Sequence, residues 1–147
     1  MPELKKQTEE LGLTKHVTFT DYIEDHADIE AMLVTAAAAV ALYNEREPNG
    51  ERSFTWFADP GKLKAYLAGG LPVVLTDVPY NAQDIEHHEC GHIASTDPDE
   101  IAERVITLLS DTERLATYRE NAKHYASKYD WNTIFLNILN VGTDNFL

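Results

Sequence analysis

Asp59-Pro60-Gly61-Lys62 is the stretch of this sequence best suited to holding an anion. Aspartate fits the capping position of a helix and proline fits its first turn, so a helix should open here with Asp59 as cap and Pro60 first. The first N–H groups of a helix lack internal acceptors and sit at the positive end of its dipole, which suits phosphate. Gly61 permits close backbone approach and Lys62 adds a point charge. A diphosphate would be held there without a metal. The competing reading is structural: Asp-Pro is a common helix start, and Lys62 is then a solvated charge. Asp59 would also repel phosphate unless its carboxylate is engaged in capping.

Other reactive residue types fit chemistry less well. His87-His88-Glu89-Cys90-Gly91-His92 matches no common zinc spacing, and neighbouring side chains point apart, so a partly exposed polar turn is expected and no metal. A Cys-His nucleophilic pair there has no group to orient it. No G-x-G-x-x-G turn follows a first strand, which argues against a nicotinamide cofactor. Tyr43, Trp56, Phe57 and Tyr66 can stack on a base or a sugar, although aromatics near a helix start more often belong to a core.

The elements that position these residues alternate between strand and helix patterns, the mark of a parallel α/β architecture. A first helix carries Leu4 and Leu11 and ends at Gly12. His16–Thr20 reads as a strand, 27–36 as a helix, and Ala38–Tyr43 as a strand buried on both faces. Residues 44–60 form a long polar loop with an Asn49-Gly50 turn, and loops of that length are often functional. The helix from Asp59 ends at Gly69-Gly70, and Leu71–Thr76 follows as a buried strand with Pro72 at its start. A short helix over 82–88 and a short strand at Ile93-Ala94 come next. Asp97-Pro98 and Asp111 cap two further helices, the first with a stripe of Ile101, Val105, Leu108 and Leu109. The second buries Leu115, Tyr118, Ala122 and Tyr125. Trp131, Ile134, Phe135 and Ile138 suit a final helix. With no repeat or linker, 1–147 reads as one domain.

Composition limits the partners. Across 147 residues the formal charge is −13 and 44% of residues are apolar. A globular chain follows, and the acidity opposes loose binding to nucleic acid or anionic membrane. One cysteine precludes an internal disulfide and fits a reducing compartment. No apolar run approaches the roughly 20 residues that span a bilayer. A cytoplasmic protein is the expectation.

The run from Asp59 to Val74, DPGKLKAYLAGGLPVV, resembles the donor-site segment of glycosyltransferases of the GT-B fold, of the family 4 or group 1 type. In that family a P-x-K-x-x-E-Y/A-L/M-A-x-G-x-P-V-V run forms a helix and the strand after it. Leu11-Gly12-Leu13 with Val17-Thr18-Phe19, the stretch Ile29–Tyr43, Gly91-His92-Ile93 and Tyr129-Asp130-Trp131 are similar to further family segments in the same order. The resemblance implies a Rossmann-like parallel sheet with flanking helices, the carboxy-terminal half of a GT-B enzyme. It implies a nucleotide diphosphate sugar as donor, with the diphosphate near Gly61, Lys62 and Leu63. The base and ribose fall near Thr20, Asp21, Tyr22 and Tyr66, and no cofactor beyond the donor is implied. A glycan or lipid-linked acceptor would bind mainly the other half, in glycan or polysaccharide biosynthesis. Transfer would pass through a transition state like an oxocarbenium ion, with N–H donors and basic side chains stabilising the departing diphosphate.

The sequence departs from the family in three ways. Many retaining members carry two glutamates eight apart, at positions that are Phe57 and Ala65 here, and Glu45 and Glu47 have the wrong spacing to replace them. Thr20-Asp21 stands where the family has a glycine after Phe19. The family's acceptor half and its first two strands, with a basic loop, have no counterpart, so a fragment without turnover and with unpaired strand edges is expected. The rival function class is a noncatalytic binding module on the same fold, favoured by the missing glutamates and the acidity.

Overall fold

Three aspartates start three of the helices in the same way. Asp25 accepts a hydrogen bond from the Ala27 N–H (2.8 Å), Asp97 from that of Asp99 (2.8 Å), and Asp111 from those of Glu113 and Arg114. Each satisfies an amide that the helix itself leaves open. The computed structural model describes residues 1–143, so the last four residues of the expected domain lie outside the described residues. In chain order the elements are α1 (Pro2–Glu10), α2 (His26–Thr35), β1 (Ala39–Ala41), a 3₁₀ turn (Phe54–Phe57), α3 (Gly61–Ala68), β2 (Val73–Leu75), α4 (Ala82–His87), β3 (Gly91–Ile93), α5 (Pro98–Ser110), α6 (Thr112–Ser127) and α7 (Trp131–Thr143).

The strands form one parallel sheet in the order β1-β2-β3, with Ala39, Val40 and Ala41 opposite Val73, Val74 and Leu75, and these opposite Gly91, His92 and Ile93. β2 lies in the centre and is buried on both faces, as an unbroken apolar run requires. One face packs Val73 and Leu75 against Leu63, Leu67, Ala122 and Tyr125, which draws α3 and α6 onto the sheet. The other packs Val74 against Leu108 and Tyr118. α3 stops where expected: Gly70 takes a φ of 72°, and Leu71 N–H returns to the Tyr66 carbonyl at 2.9 Å.

Several expectations need correction. Residues 16–20 form no strand, because no other strand lies beside them among the described residues and an extended segment without a neighbour makes no ladder. Pro60, not Asp59, is the capping residue of α3, and Gly61 is its first residue. β3 begins at Gly91, two residues earlier than expected. Cys90 before it and His92 within it are buried, so only His87 to Glu89 form the exposed turn. Leu109 is exposed, leaving Leu108 as the buried member of the α5 stripe.

Candidate functional site

The carboxyl ends of the three strands open into a cleft of about 720 Å³. Tyr43 to Arg46 line it after β1, Thr76 to Val78 after β2, and Ala94 to Thr96 after β3, with Glu86, Glu100 and Arg104 closing the far side. Clefts at this edge of open α/β sheets are where ligands bind. The strand tips are tied together by Thr76, whose hydroxyl accepts from Tyr43 N–H (2.8 Å) and donates to Tyr43 O (2.9 Å).

The start of α3 stands next to this cleft. The Lys62 ammonium lies 4.8 Å from the centre of the Tyr43 ring, a cation–π contact at the tip of β1. Gly61 and Lys62 are exposed, and a Cβ added at Gly61 meets nothing within 4 Å. As the first two helical residues, both lack an intrahelical acceptor for their N–H. Leu63 differs: its side chain is fully buried and its N–H is bonded to Pro60 O at 3.0 Å. Tyr66 is half-buried against the core, and burial, with the neighbouring Tyr66 phenol second, pushes the Tyr43 hydroxyl up to about 12. Tyr43 thus stays a neutral ring and hydroxyl at any physiological pH. Trp56 stacks under Arg52 at 4.4 Å, and Phe57 is exposed.

The structure does not bring Thr20, Asp21 and Tyr22 into this cleft, since none of them lines it. Tyr22 is exposed, and Asp21 pairs with Lys5 at 3.7 Å. Asp21 has a φ of 51°, the left-handed conformation that a glycine would take easily.

Sequence reasoning missed the far wall of the cleft. Ser95 donates to Glu100 through its N–H (3.2 Å) and its hydroxyl (2.5 Å), which holds the Glu100 carboxyl below its usual range, and Arg104 pairs with Glu100 at 3.7 Å. Glu86 accepts from Ile93 N–H, and Asp77 from the Gln83 amide. These carboxylates are therefore fixed in place, and Arg104 offsets the charge of one of them, Glu100. The spacing of Asp97 and Glu100 is that of a capping box, but Glu100 bonds Ser95 and the Asp97 N–H turns to Ser95 Oγ (3.2 Å).

Behind α3, a tyrosine–carboxylate network joins it to α4 and α6. Tyr125 donates to Asp84 at 2.6 Å, and Lys128 reaches the same carboxylate at 2.8 Å. Hydrogen bonds from Lys128 and then Tyr125 hold Asp84 below the ordinary carboxylate range. A carboxyl depressed by folding stabilises above its unfolded pKa, and that contribution is lost as pH falls through the folded value. Urea midpoints from about pH 7 to about pH 3 should fall less steeply in Asp84→Asn than in the unaltered protein. Parallel curves would contradict the role given to Asp84.

Among the described residues no group of three or more His, Cys, Asp or Glu side chains could hold a metal ion. No described helix is long and apolar enough to cross a membrane.

Comparison with known proteins places this geometry in a family. The family described as "Glycosyl transferases group 1" matches residues 1–111. The chain belongs to that family. Among group 1 glycosyl transferases and related folds, the chain superposes on WaaG, a glycosyltransferase involved in lipopolysaccharide biosynthesis. The TM-score is 0.66 at 20% identity, covering 86% of this chain and 31% of that one. It also superposes on sucrose-phosphate synthase from Thermosynechococcus elongatus, with a TM-score of 0.72 at 20% identity, covering 99% and 34%. The chain thus spans about a third of the length of these structures, and at this identity the likeness concerns the fold. No curated protein sequence matches the chain. The α/β, Rossmann-like GT-B arrangement expected from the sequence is the one found.

Proposed function

We propose that this chain forms the donor-binding side of a sugar-transferring enzyme, receiving the diphosphate of a nucleotide sugar at the start of α3. The observation that carries the reading is the placement of that start. α3 opens beside the strand tips, with its Gly61 backbone unobstructed and the Lys62 ammonium over the Tyr43 ring. The Gly61 and Lys62 N–H groups would bind the two phosphates, Lys62 would offset their charge, and the adjacent cleft would take the remainder of the donor. An acceptor, glycan or lipid-linked, would be presented by another part of the protein. The same donors that hold the diphosphate would stabilise it as it leaves the sugar.

Calorimetric titration with UDP and GDP tests this. At least one should bind, and Gly61→Asp should weaken binding by about tenfold or more, because a carboxylate then occupies the space meant for phosphate. Phe57 and Ala65, both exposed and without a carboxylate, favour a second reading, a noncatalytic module on the same fold. Absence of binding to any nucleotide diphosphate would support that reading instead.

A further inference from the structure

The cleft at the strand tips has its donors engaged and many of its acceptors open. The Arg46 guanidinium donates to Gly50 O at 2.9 Å, and that of Arg104 pairs with Glu100 at 3.7 Å. The hydroxyl protons of Thr76 and Ser95 go to Tyr43 O and to Glu100. Asp77 accepts from the Gln83 amide through Oδ2, and Glu86 from the Ile93 N–H through Oε1, leaving the second oxygen of each carboxylate to a ligand. Glu45, exposed in the loop after β1, adds a further carboxylate. In all, Glu45, Asp77, Glu86 and Glu100 face two guanidiniums across the cleft, so its lining is net negative. Tyr43 is the one aromatic side chain among the described residues lining it, and the Lys62 ammonium already lies over that ring. A nucleobase therefore finds little to stack on, and an anionic group meets repulsion. A ring bearing several hydroxyls and no charge fits, because each hydroxyl can donate to an open carboxylate oxygen.

We infer that this cleft receives the transferred sugar of the donor and selects a neutral sugar over a uronic acid, with Glu45 and Asp77 as specificity-determining residues. This rests on the donor-binding reading above and deepens it. Glu86 and Glu100 also face the cleft, but each holds a backbone N–H of the loop after β3, at Ile93 and at Ser95, and so shapes the wall. Glu45 and Asp77 have no such duty to that loop. The Asp77 partner is a neutral amide, so its charge stays uncompensated where a sugar carboxylate would have to sit.

UDP-glucose and UDP-glucuronate, like GDP-mannose and GDP-mannuronate, differ only in a hydroxymethyl group against a carboxylate on the sugar. In calorimetric titration of the unaltered protein, the neutral member of the pair that binds should be favoured by about tenfold. Glu45→Gln combined with Asp77→Asn should narrow that preference to about threefold or less, with the urea midpoint unchanged, since asparagine keeps an oxygen for Gln83. Glu9→Gln combined with Asp28→Asn removes two charges outside the cleft and should leave the preference intact, which controls for the acidity of the whole chain. Amide shifts locate the sugar: those that the neutral donor causes beyond its nucleoside diphosphate should fall on Thr76–Val78 and Ala94–Thr96. Equal affinity for both donors, equal narrowing in the control variant, or sugar-dependent shifts outside these loops would overturn the inference and leave donor binding in place. If neither UDP nor GDP nor any of the four donors binds, the donor-binding reading fails and the inference falls with it.

Discussion

Gly91→Ala should destabilise the protein by about 3 kcal/mol or more, the largest effect expected of any single methyl group here. A Cβ built at Gly91 falls 2.0 Å from the Val73 carbonyl oxygen and 2.9 Å from its carbon, both backbone atoms. Val73 is the register partner of Gly91, and β2 is buried on both faces between two packed helix layers, so the strand has no room to retreat. The conflict must be relieved by separating β2 from β3, which would remove Ile93 and the Ala94–Thr96 loop from the cleft. Urea denaturation measures this directly. Gly61→Ala is the control, because the added methyl group there meets nothing and should leave stability within about 1 kcal/mol. An unfolding midpoint for Gly91→Ala equal to that of the unaltered protein would contradict the packing described for β2.

Lys62→Ala should lower affinity for UDP or GDP by about tenfold while changing stability by less than about 1 kcal/mol. The ammonium is exposed and its one described partner is the Tyr43 ring, so little of the fold depends on it. A hydrogen bond from an ammonium to a phosphate oxygen is stronger than a neutral one, and its loss should appear in binding alone. Binding by the unaltered protein should also weaken with added salt, and less steeply in Lys62→Ala, since screening acts on the charge that the variant lacks. Equal affinity in the two proteins would place the anion elsewhere.

What could be read from the sequence follows from how local each cause is. α5 and α6 were legible because Asp97 and Asp111 bond to amides two or three residues away, and their apolar residues recur at helical spacing. The end of α3 at Gly69-Gly70 was legible for the same reason, and so was the burial of β2, an unbroken apolar run. The start of α3 was not. Asp59 shares its Asp-Pro pair with Asp97, but Pro60 keeps an extended ψ of 118° and is the capping residue, and the Asp59 carboxylate pairs with Lys64. Residues 16–20 have the composition of a strand, yet strand pairing requires a neighbour that composition does not supply. Within the candidate site, Gly61 and Lys62 were legible from helix-start chemistry. The Ser95–Glu100–Arg104 contacts are local, but their place on the cleft was not legible, because only the parallel sheet brings the loops after β1, β2 and β3 side by side.

The most direct measurement is an amide chemical-shift map of the unaltered protein titrated with inorganic pyrophosphate. The account predicts saturable shifts centred on the Gly61 and Lys62 N–H groups, with smaller ones at Tyr43. Shifts centred on Arg46 and Arg104 across the cleft, or no saturable shift at any amide, would contradict it.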